Sequence, residues 1–277
     1  MEAISERETS ETKGGEAEMM RLLVCSDLRR SLVLSLQKGP SSLADLRKET
    51  GASSTAAIHA LRELEREHLT YENDKRQYAL TNIGKIIALK LEDLNNAISV
   101  LNAHNNFWLA HDMTGIPEVS LKALGSLEES YIIASTSTDI FKVYSTFKTL
   151  VENANHIKGI APFFVPELID IFVDLVLKGK SIELVVTSDV FDKMTEVGDR
   201  QELKRALEGS LKLFKTKQNP KVGLTVTDYF LSLGFFRWDG VYDYTSDLLS
   251  YNNQAIEWGT DLFDYYLAAS EEITLDK

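Results

Sequence analysis

Cysteine is almost missing from this chain: 277 residues include only Cys25. No internal disulfide and no cysteine-based zinc cluster can therefore form within one chain. Such usage fits a reducing compartment, and the cytoplasm is the expected location. Long apolar runs are also lacking. The longest stretch without Lys, Arg, Asp or Glu runs from Leu94 to His111, and its five asparagines and two histidines exclude a membrane span. No two glycines stand two residues apart, which removes the G-x-G-x-x-G dinucleotide loop, and neither Gly84-Lys85 nor Gly179-Lys180 has the upstream glycine of a phosphate loop. The five histidines, at positions 59, 68, 104, 111 and 156, show no H-E-x-x-H spacing. His104 and His111 can share a helix face, but no carboxylate pair accompanies them, so neither a metal nor another cofactor is expected. Residues 1–16 are polar, lack the apolar block of a signal peptide, and read as a disordered, untargeted tail.

What is present is ordinary globular material: 44% hydrophobic and 26% charged residues, in a length that favours two domains. The net charge of −12 taken alone argues against nucleic acid. Its distribution argues otherwise. Residues 17–90 carry twelve basic and nine acidic side chains, whereas residues 91–277 carry the whole −12. A modestly basic module is joined to an acidic body.

In the basic module, Leu22, Leu28, Leu32 and Leu36, flanked by Val33 and Leu34, predict a helix from Arg21 to Leu36 that Gly39-Pro40 stops. Cys25 falls beside this stripe and is expected as a buried filler. Ser42-Leu43-Ala44-Asp45 has the form of a capping box opening a second short helix that ends at Gly51. A third begins in Ala52-Ser53-Ser54-Thr55, with Ala57, Ile58, Leu61 and Leu64 on its buried side. Three short helices with tight breaks form a helix-turn-helix arrangement. Thr70-Tyr71-Glu72, an Asn73-Asp74 turn and Lys75-Arg76-Gln77-Tyr78-Ala79-Leu80 then predict a hairpin with basic residues at its tip, a wing.

Opposite the apolar side of the third helix stand Thr55, His59, Arg62 and Arg66, spaced to share one face. Placed in a major groove, Arg62 can serve a guanine, and Thr55 and His59 can meet bases or phosphates. Ser53 and Ser54 stand where hydroxyls and amides grip phosphate, and Lys75 and Arg76 would lie near the backbone or minor groove. The ordinary alternative is a solvated helix face and a charged hairpin. Glu63, Glu65 and Glu67 among the cations imply moderate affinity per monomer and a need for a second copy.

The phrases Ala57-Ile58-His59-Ala60-Leu61-Arg62-Glu63-Leu64-Glu65 and Leu80-Thr81-Asn82-Ile83-Gly84-Lys85 resemble those of archaeal and bacterial winged-helix regulators. Further on, His111 to Pro117, Gly159 to Pro162, Phe235 to Asp243 and Trp258 to Phe263 resemble the effector domain of archaeal winged-helix regulators of the methanogenesis-regulatory type. The resemblance covers nearly everything after residue 20 and implies a transcriptional regulator from a methanogen. It does not supply an effector.

Between the modules, Ile87, Leu91, Leu94, Ile98 and Leu101 recur with the seam spacing of a short coiled coil, with Trp108 continuing the register. Dimerisation is expected there; packing against the chain's own C-terminal part is the alternative. Beyond it, strand-like Tyr131 to Ser135, a helical stretch from Asp139 to Asn153, a strand from Ile157 to Ala161, a helix from Pro166 to Gly179 and a strand from Ile182 to Thr187 imply a largely parallel sheet. Later strands at Val222–Val226 and Tyr229–Phe236 make it mixed, and an amphipathic helix from Asn252 to Ala269 closes the domain.

The same segment resembles a degenerate half of the phospholipase D fold. Asp228 and Gly234 keep that superfamily's spacing, but Lys221 and Gly223 replace its histidine and lysine, so its covalent phosphoryl chemistry cannot run. Strand ends suggest Ser135, Thr187, Ser188 and Asp189 as ligand contacts, with His111 and Asp112 from the family-like loop; simple helix capping is the alternative for each. Trp238, Trp258, Phe263 and Tyr266 read as core or dimer packing.

The expected architecture is α+β: a winged helix-turn-helix over 17–82, a connector and dimerisation helix over 83–108, and an α/β effector domain with a mixed sheet over 109–277. The expected function is a non-enzymatic, dimeric, sequence-specific DNA-binding regulator that senses a small molecule or partner, with double-stranded DNA as its target and no membrane. The rival is an enzyme acting on a phosphate-containing metabolite, the winged helix serving as an interaction module.

Overall fold

The computed structural model describes residues 18–197 and 200–273, so the expected tail over 1–16 lies outside the described residues. Two compact units divide between Asn95 and Asn96.

The first unit is a winged helix. A helix over residues 18–24 (α1) precedes α2 (Asp27–Gln37), β1 (Ser41–Ser42), α3 (Leu43–Thr50), α4 (Ser54–Arg66), β2 (Thr70–Glu72), β3 (Gln77–Leu80) and the start of α5 (Asn82–Ala103). The expected single helix over 21–36 is two helices. Ser26 adopts an extended conformation (φ −142°) and its hydroxyl accepts from the Arg29 amide, capping α2. That break turns Cys25 out to solvent, against its expected burial. The capping box opening α3 is present: Ser42 Oγ accepts from the Asp45 amide at 3.2 Å and donates to its carboxylate at 2.6 Å.

The sheet runs β1-β3-β2, all antiparallel. Leu32, Leu36, Leu46, Leu61, Leu64 and Leu69 are 0–2% exposed and form one core. Each such leucine contributes about 1.5–3 kcal/mol through burial. The Leu-Thr-x-x-Gly-Lys phrase also has a mechanical basis. Thr81 Oγ1 donates to the His68 carbonyl and accepts from the Gly84 amide, starting α5. The Leu69 carbonyl lies so near Gly84 that a Cβ there would stand 2.0 Å from its oxygen.

The second unit has three layers. After α5 come α6 (Asn105–Ala110), β4 (His111–Asp112), α7 (Glu118–Lys122), a 3-10 turn (Leu124–Leu127) and β5 (Tyr131–Ala134). Then follow α8 (Lys142–Asn153), β6 (His156–Ala161), α9 (Pro166–Leu177), β7 (Ser181–Thr187), α10 (Ser188–Val197), α11 (Arg200–Glu208) and β8 (Leu211–Thr216). Last are β9 (Val222–Thr227), β10 (Leu231–Arg237), β11 (Ser246–Ser250), α12 (Asn253–Leu267) and β12 (Ser270–Glu272).

The sheet order is β12-β8-β7-β6-β9-β10-β11-β5, with β4 also on β10. Only β6, β7 and β8 are mutually parallel. The strand at Tyr131 does not join them as the β-α-β reading implied. It pairs antiparallel with β11 at the sheet's far edge, where Tyr131 and Ala134 are exposed, so a short half-covered strand occupies the border.

Alternation along the strands divides the interior. Ile160, Val185, Leu224, Leu233 and Leu248 face a core under α12 that also holds Trp108, Trp258, Phe263 and Tyr266. Ile157, Leu184, Val186, Leu211 and Leu213 face a core with residues of α8 to α11. Trp108 thus serves the C-terminal interior rather than a coiled-coil seam, its Nε1 donating to the Val100 carbonyl. Trp238, expected in core or dimer packing, is 68% exposed, and its Nε1 donates to the Leu109 carbonyl.

Candidate functional site

The N-terminal unit presents a connected polar face. Ser53 is the N-cap of α4, its hydroxyl accepting from the Ala56 amide at 3.2 Å; the helix then leads through Ser54 and Thr55 to His59, Arg62 and Arg66. Thr55, His59, Arg62 and Arg66 are exposed, while Ala57, Ala60, Leu61 and Leu64 hold the other side of the helix in the core. Glu63 is withdrawn from this face by Arg29, which pairs with it at 2.5 Å, and His59 Nδ1 lies 3.6 Å from the same carboxylate. Among the described residues Arg62, Arg66, Lys75 and Arg76 make no ion pair, so their charge is available to a partner.

The wing tip is built by Asn73, whose side-chain oxygen accepts from the amides of Lys75 and Gln77, both at 3.0 Å. That turn holds Arg76 at φ +57° and leaves Lys75 and Arg76 exposed.

On α5 the expected seam is divided. Leu94, Ile98 and Leu101 are 51%, 46% and 40% exposed, but Leu91 is 8% exposed within the winged-helix core and Ile87 packs partly against it. Leu91 therefore leaves the seam. Ile83, 51% exposed, lies on the Leu94 stripe and was missed because it opens the helix.

The second unit contains a cavity of about 170 Å³ that the sequence reading did not locate. It lies at the carboxyl ends of β6 and β7, bordered by α8, the segment Phe163–Val165, α9 and α10. Its floor is a patch of small and polar residues. Gly159, Thr225 and Ser232 stand abreast on β6, β9 and β10, and Gly223 faces Gly234 across the next same-side row. This Gly-x-Thr and Ser-x-Gly alternation is the signal that could have found it: the opposite face carries leucines while this face is left hollow.

Over the floor lies Tyr242, its ring 3.9 Å from that of Phe163. Its hydroxyl bonds the Asp247 carboxyl, which also accepts from Ser232 Oγ at 2.7 Å. A Cβ on Gly234 would stand 2.1 Å from the tyrosine hydroxyl and 2.3 Å from Asp247 Oδ1, so this pair requires glycine beneath it. Burial pushes the Asp247 carboxyl up to about 7, against the donation from Ser232 and with repulsion from Asp243. Burial likewise holds Tyr242 well above the ordinary tyrosine range, so its hydroxyl keeps its proton.

None of the six nominated ligand contacts lines this cavity, and they do not converge. His111 is 3% exposed, with Nδ1 2.6 Å from the Phe107 carbonyl and Nε2 3.0 Å from Asp243. Asp112 pairs with Lys221 at 2.8 Å and accepts from Thr114; first the lysine and then the threonine hold its carboxyl down at about 2. Ser135 Oγ donates to the Ile140 carbonyl, and Thr187 Oγ1 accepts from the Val190 amide. Ser188 and Asp189 are exposed in the first turn of α10. The polar groups of His111, Asp112, Ser135 and Thr187 are spent on local caps and ties. The cavity lies near the same strand ends, but its lining comes from apolar neighbours such as Val186 and Val190. Asp228, of the phospholipase-like spacing, accepts from the amides of Asn155 and His156 and so ties the β9–β10 turn to β6.

No group of three or more His, Cys, Asp or Glu side chains among the described residues could hold a metal. No helix among them is long and apolar enough to cross a membrane.

The middle-domain pattern of methanogenesis regulatory protein FilR1 matches residues 140–269, and the N-terminal-domain pattern matches residues 17–99. The methanogenesis regulatory protein FilR1 of Methanothrix harundinacea (strain 6Ac) is 28% identical over 258 residues, which is 92% of this chain but only 58% of that protein. Among solved structures, TrmBL2, an archaeal chromatin protein described with a novel mode of DNA binding, is 14% identical over 88% of this chain and 93% of its own, with a TM-score of 0.43. The phospholipase D family member Nuc from Salmonella typhimurium is 11% identical over 53% of this chain and 100% of its own, with a TM-score of 0.40. With both FilR1 domains present in order over most of its length, this chain belongs to the methanogenesis regulatory protein FilR1 family.

Proposed function

We propose that this chain is a cytoplasmic, DNA-binding transcriptional regulator that works as a homodimer and acts by binding rather than by catalysis. The observation that carries the reading is the exposed face of α4. Thr55, His59, Arg62 and Arg66 stand exposed on a helix fixed by a leucine core, beside a wing tip whose two cations have no ion-pair partner among the described residues. A helix of this kind reads base edges in the major groove, and the wing grips backbone. The regulatory name of the family favours the same reading. Ile83, Leu94, Ile98 and Leu101 on α5 form an exposed apolar stripe suited to a second copy, which would set two reading helices about one DNA turn apart.

The C-terminal unit would act as sensor. From the cavity floor, Tyr242 is followed in the chain by Asp243. That carboxylate holds His111, and His111 holds the Phe107 carbonyl on α6; the next residue, Trp108, ties to Val100 on α5. A ligand that prefers one position of Tyr242 would shift the populations of this chain of contacts toward one setting of α5.

The test is binding to duplex DNA as a function of salt. Affinity should fall steeply as salt rises, and Lys75→Ala or Arg76→Ala should reduce the slope by roughly one per lost phosphate contact. Weak binding at low ionic strength with no salt dependence would remove the reading.

A further inference from the structure

The cavity in the C-terminal unit has a definite chemical bias, and the argument from it rests on the sensor reading above. Among the described residues that line it there is no lysine, arginine or histidine. The walls are aliphatic and aromatic, with Phe147, Phe163, Phe164, Phe172 and Tyr144 among them. One ionisable carboxyl, Asp247, stands at the floor, 8% exposed, beside Ser232 and Tyr242. An anion entering such a space would lose its water and meet a carboxyl with no cation to offset it. A phosphate-containing metabolite is therefore the wrong cargo, which also disfavours the enzyme alternative. A cation with an apolar body meets the complementary surroundings: a carboxylate for its charge, aromatic faces around it and an apolar wall for the remainder. The acidic body, −12 over residues 91–277, favours the approach of the same sign of ligand.

We infer that this cavity is a binding site for a small organic amine, its ammonium group on the Asp247 carboxylate and its hydrocarbon part among the phenylalanines of α8, α9 and the segment before α9. Size bounds the ligand. An apolar cavity of about 150 Å³ admits benzene, so the roughly 170 Å³ here suits a single ring or a short branched chain bearing one amine.

The groups facing Asp247 set the pH behaviour. Asp243 repels its negative charge, His111 favours it when protonated, and Tyr242 and Ser232 donate to it. Tyr144 on α8 and Tyr244 complete the titratable lining. With Asp247 titrating at about 7, the carboxylate needed by the amine is formed at pH 8 and mostly lost at pH 5.5.

The test uses the full chain and three molecules of one shape: benzylamine, benzyl alcohol and benzoate, titrated calorimetrically at pH 8. Benzylamine should bind at least about tenfold more tightly than benzyl alcohol, the size of one charge-assisted hydrogen bond, and benzoate should bind more weakly than either. In Asp247→Asn the amine should lose its advantage while the alcohol still binds, which shows the cavity intact. In the unaltered chain the advantage should shrink from pH 8 to pH 5.5, so the inference remains testable even if the variant fails to fold. Benzoate binding as well as benzylamine, equal affinity for amine and alcohol, an undiminished advantage in the variant, or no binding of any of the three at millimolar concentration would each overturn it. These outcomes are independent of DNA. An amine that binds as stated to a chain indifferent to duplex DNA leaves the site standing and the regulatory reading fallen; the converse result discards only the ligand class.

Discussion

Replacing Asp247 by asparagine should stabilise the protein in a strongly pH-dependent way. Burial raises this carboxyl to about 7 in the folded chain, whereas in the unfolded chain it titrates near 4. A raised carboxyl contributes stability that is complete below its unfolded value and is lost as pH rises toward its folded value, because over that interval the folded state holds a proton that the unfolded state has released. Each unit of that interval removes about 1.4 kcal/mol. Between pH 5 and pH 8 only the part up to about 7 counts, so the wild-type chain should lose about 3 kcal/mol from this group. Asparagine has no proton to lose. Its amide oxygen can accept from one of the two hydroxyls while its NH2 donates to the other, as the O–H of the protonated carboxyl does, so at pH 5 the variant should match the parent to within about 1 kcal/mol. Urea unfolding of both proteins at pH 5, 6, 7 and 8 isolates the residue, because every other titrating group is common to the two. The stability difference should move by about 3 kcal/mol in favour of the variant across that range. A difference that stays flat would refute the buried carboxyl, raised by burial, on which the cavity's chemistry rests.

Other expectations follow from contacts in the first unit. Gly84→Ala should cost about 2–3 kcal/mol in unfolding measurements, since its Cβ would stand 2.0 Å from the Leu69 carbonyl and backbone must move to admit it; an unchanged Tm would contradict that close approach. Thr70→Val should raise stability by about 1 kcal/mol, because Thr70 Oγ1 is buried with no hydrogen-bond partner and its desolvation is uncompensated; a fall in Tm would show that the hydroxyl is satisfied in solution. Ile98→Asp should convert a dimer to a monomer in sedimentation while leaving the helical circular dichroism intact, as the side chain is 46% exposed and belongs to neither core; a variant that stays dimeric would move the interface away from α5.

Much of the first unit was legible because its signals are local. A serine three residues before an aspartate announces α3, an Asn-Asp pair announces the wing, and a Leu-Thr-x-x-Gly-Lys phrase carries the winged-helix resemblance, although the carbonyl above Gly84 shows only in the fold. The break at Ser26 was missed because the leucine stripe runs on through it, and periodicity alone does not register a cap. In the second unit many elements could be read but not their partners, and β8, β11, β12 and α11 were not read. Tyr131–Ala134 looks like any strand, and only long-range pairing with β11 puts it at the edge. The cavity was hidden for a related reason. Gly159, Gly223 and Ser232 are far apart in sequence and become a floor only when β6, β9 and β10 lie side by side. His111, Asp112 and Thr187 drew notice as polar residues in suggestive places. Their hydrogen bonds are spent within the scaffold, and the acid that faces the cavity, Asp247, sits in a strand of ordinary appearance.

The claim that the α4 face reads DNA is tested most directly by selecting bound duplexes from a randomised pool with the parent chain and with Arg62→Ala. The parent should recover a two-fold symmetric site with half-sites about one helical turn apart, and the variant should lose preference at one symmetric pair of positions, at a cost of about 1–3 kcal/mol per site. Recovery of the same sequences with the same affinity by both proteins would contradict the account.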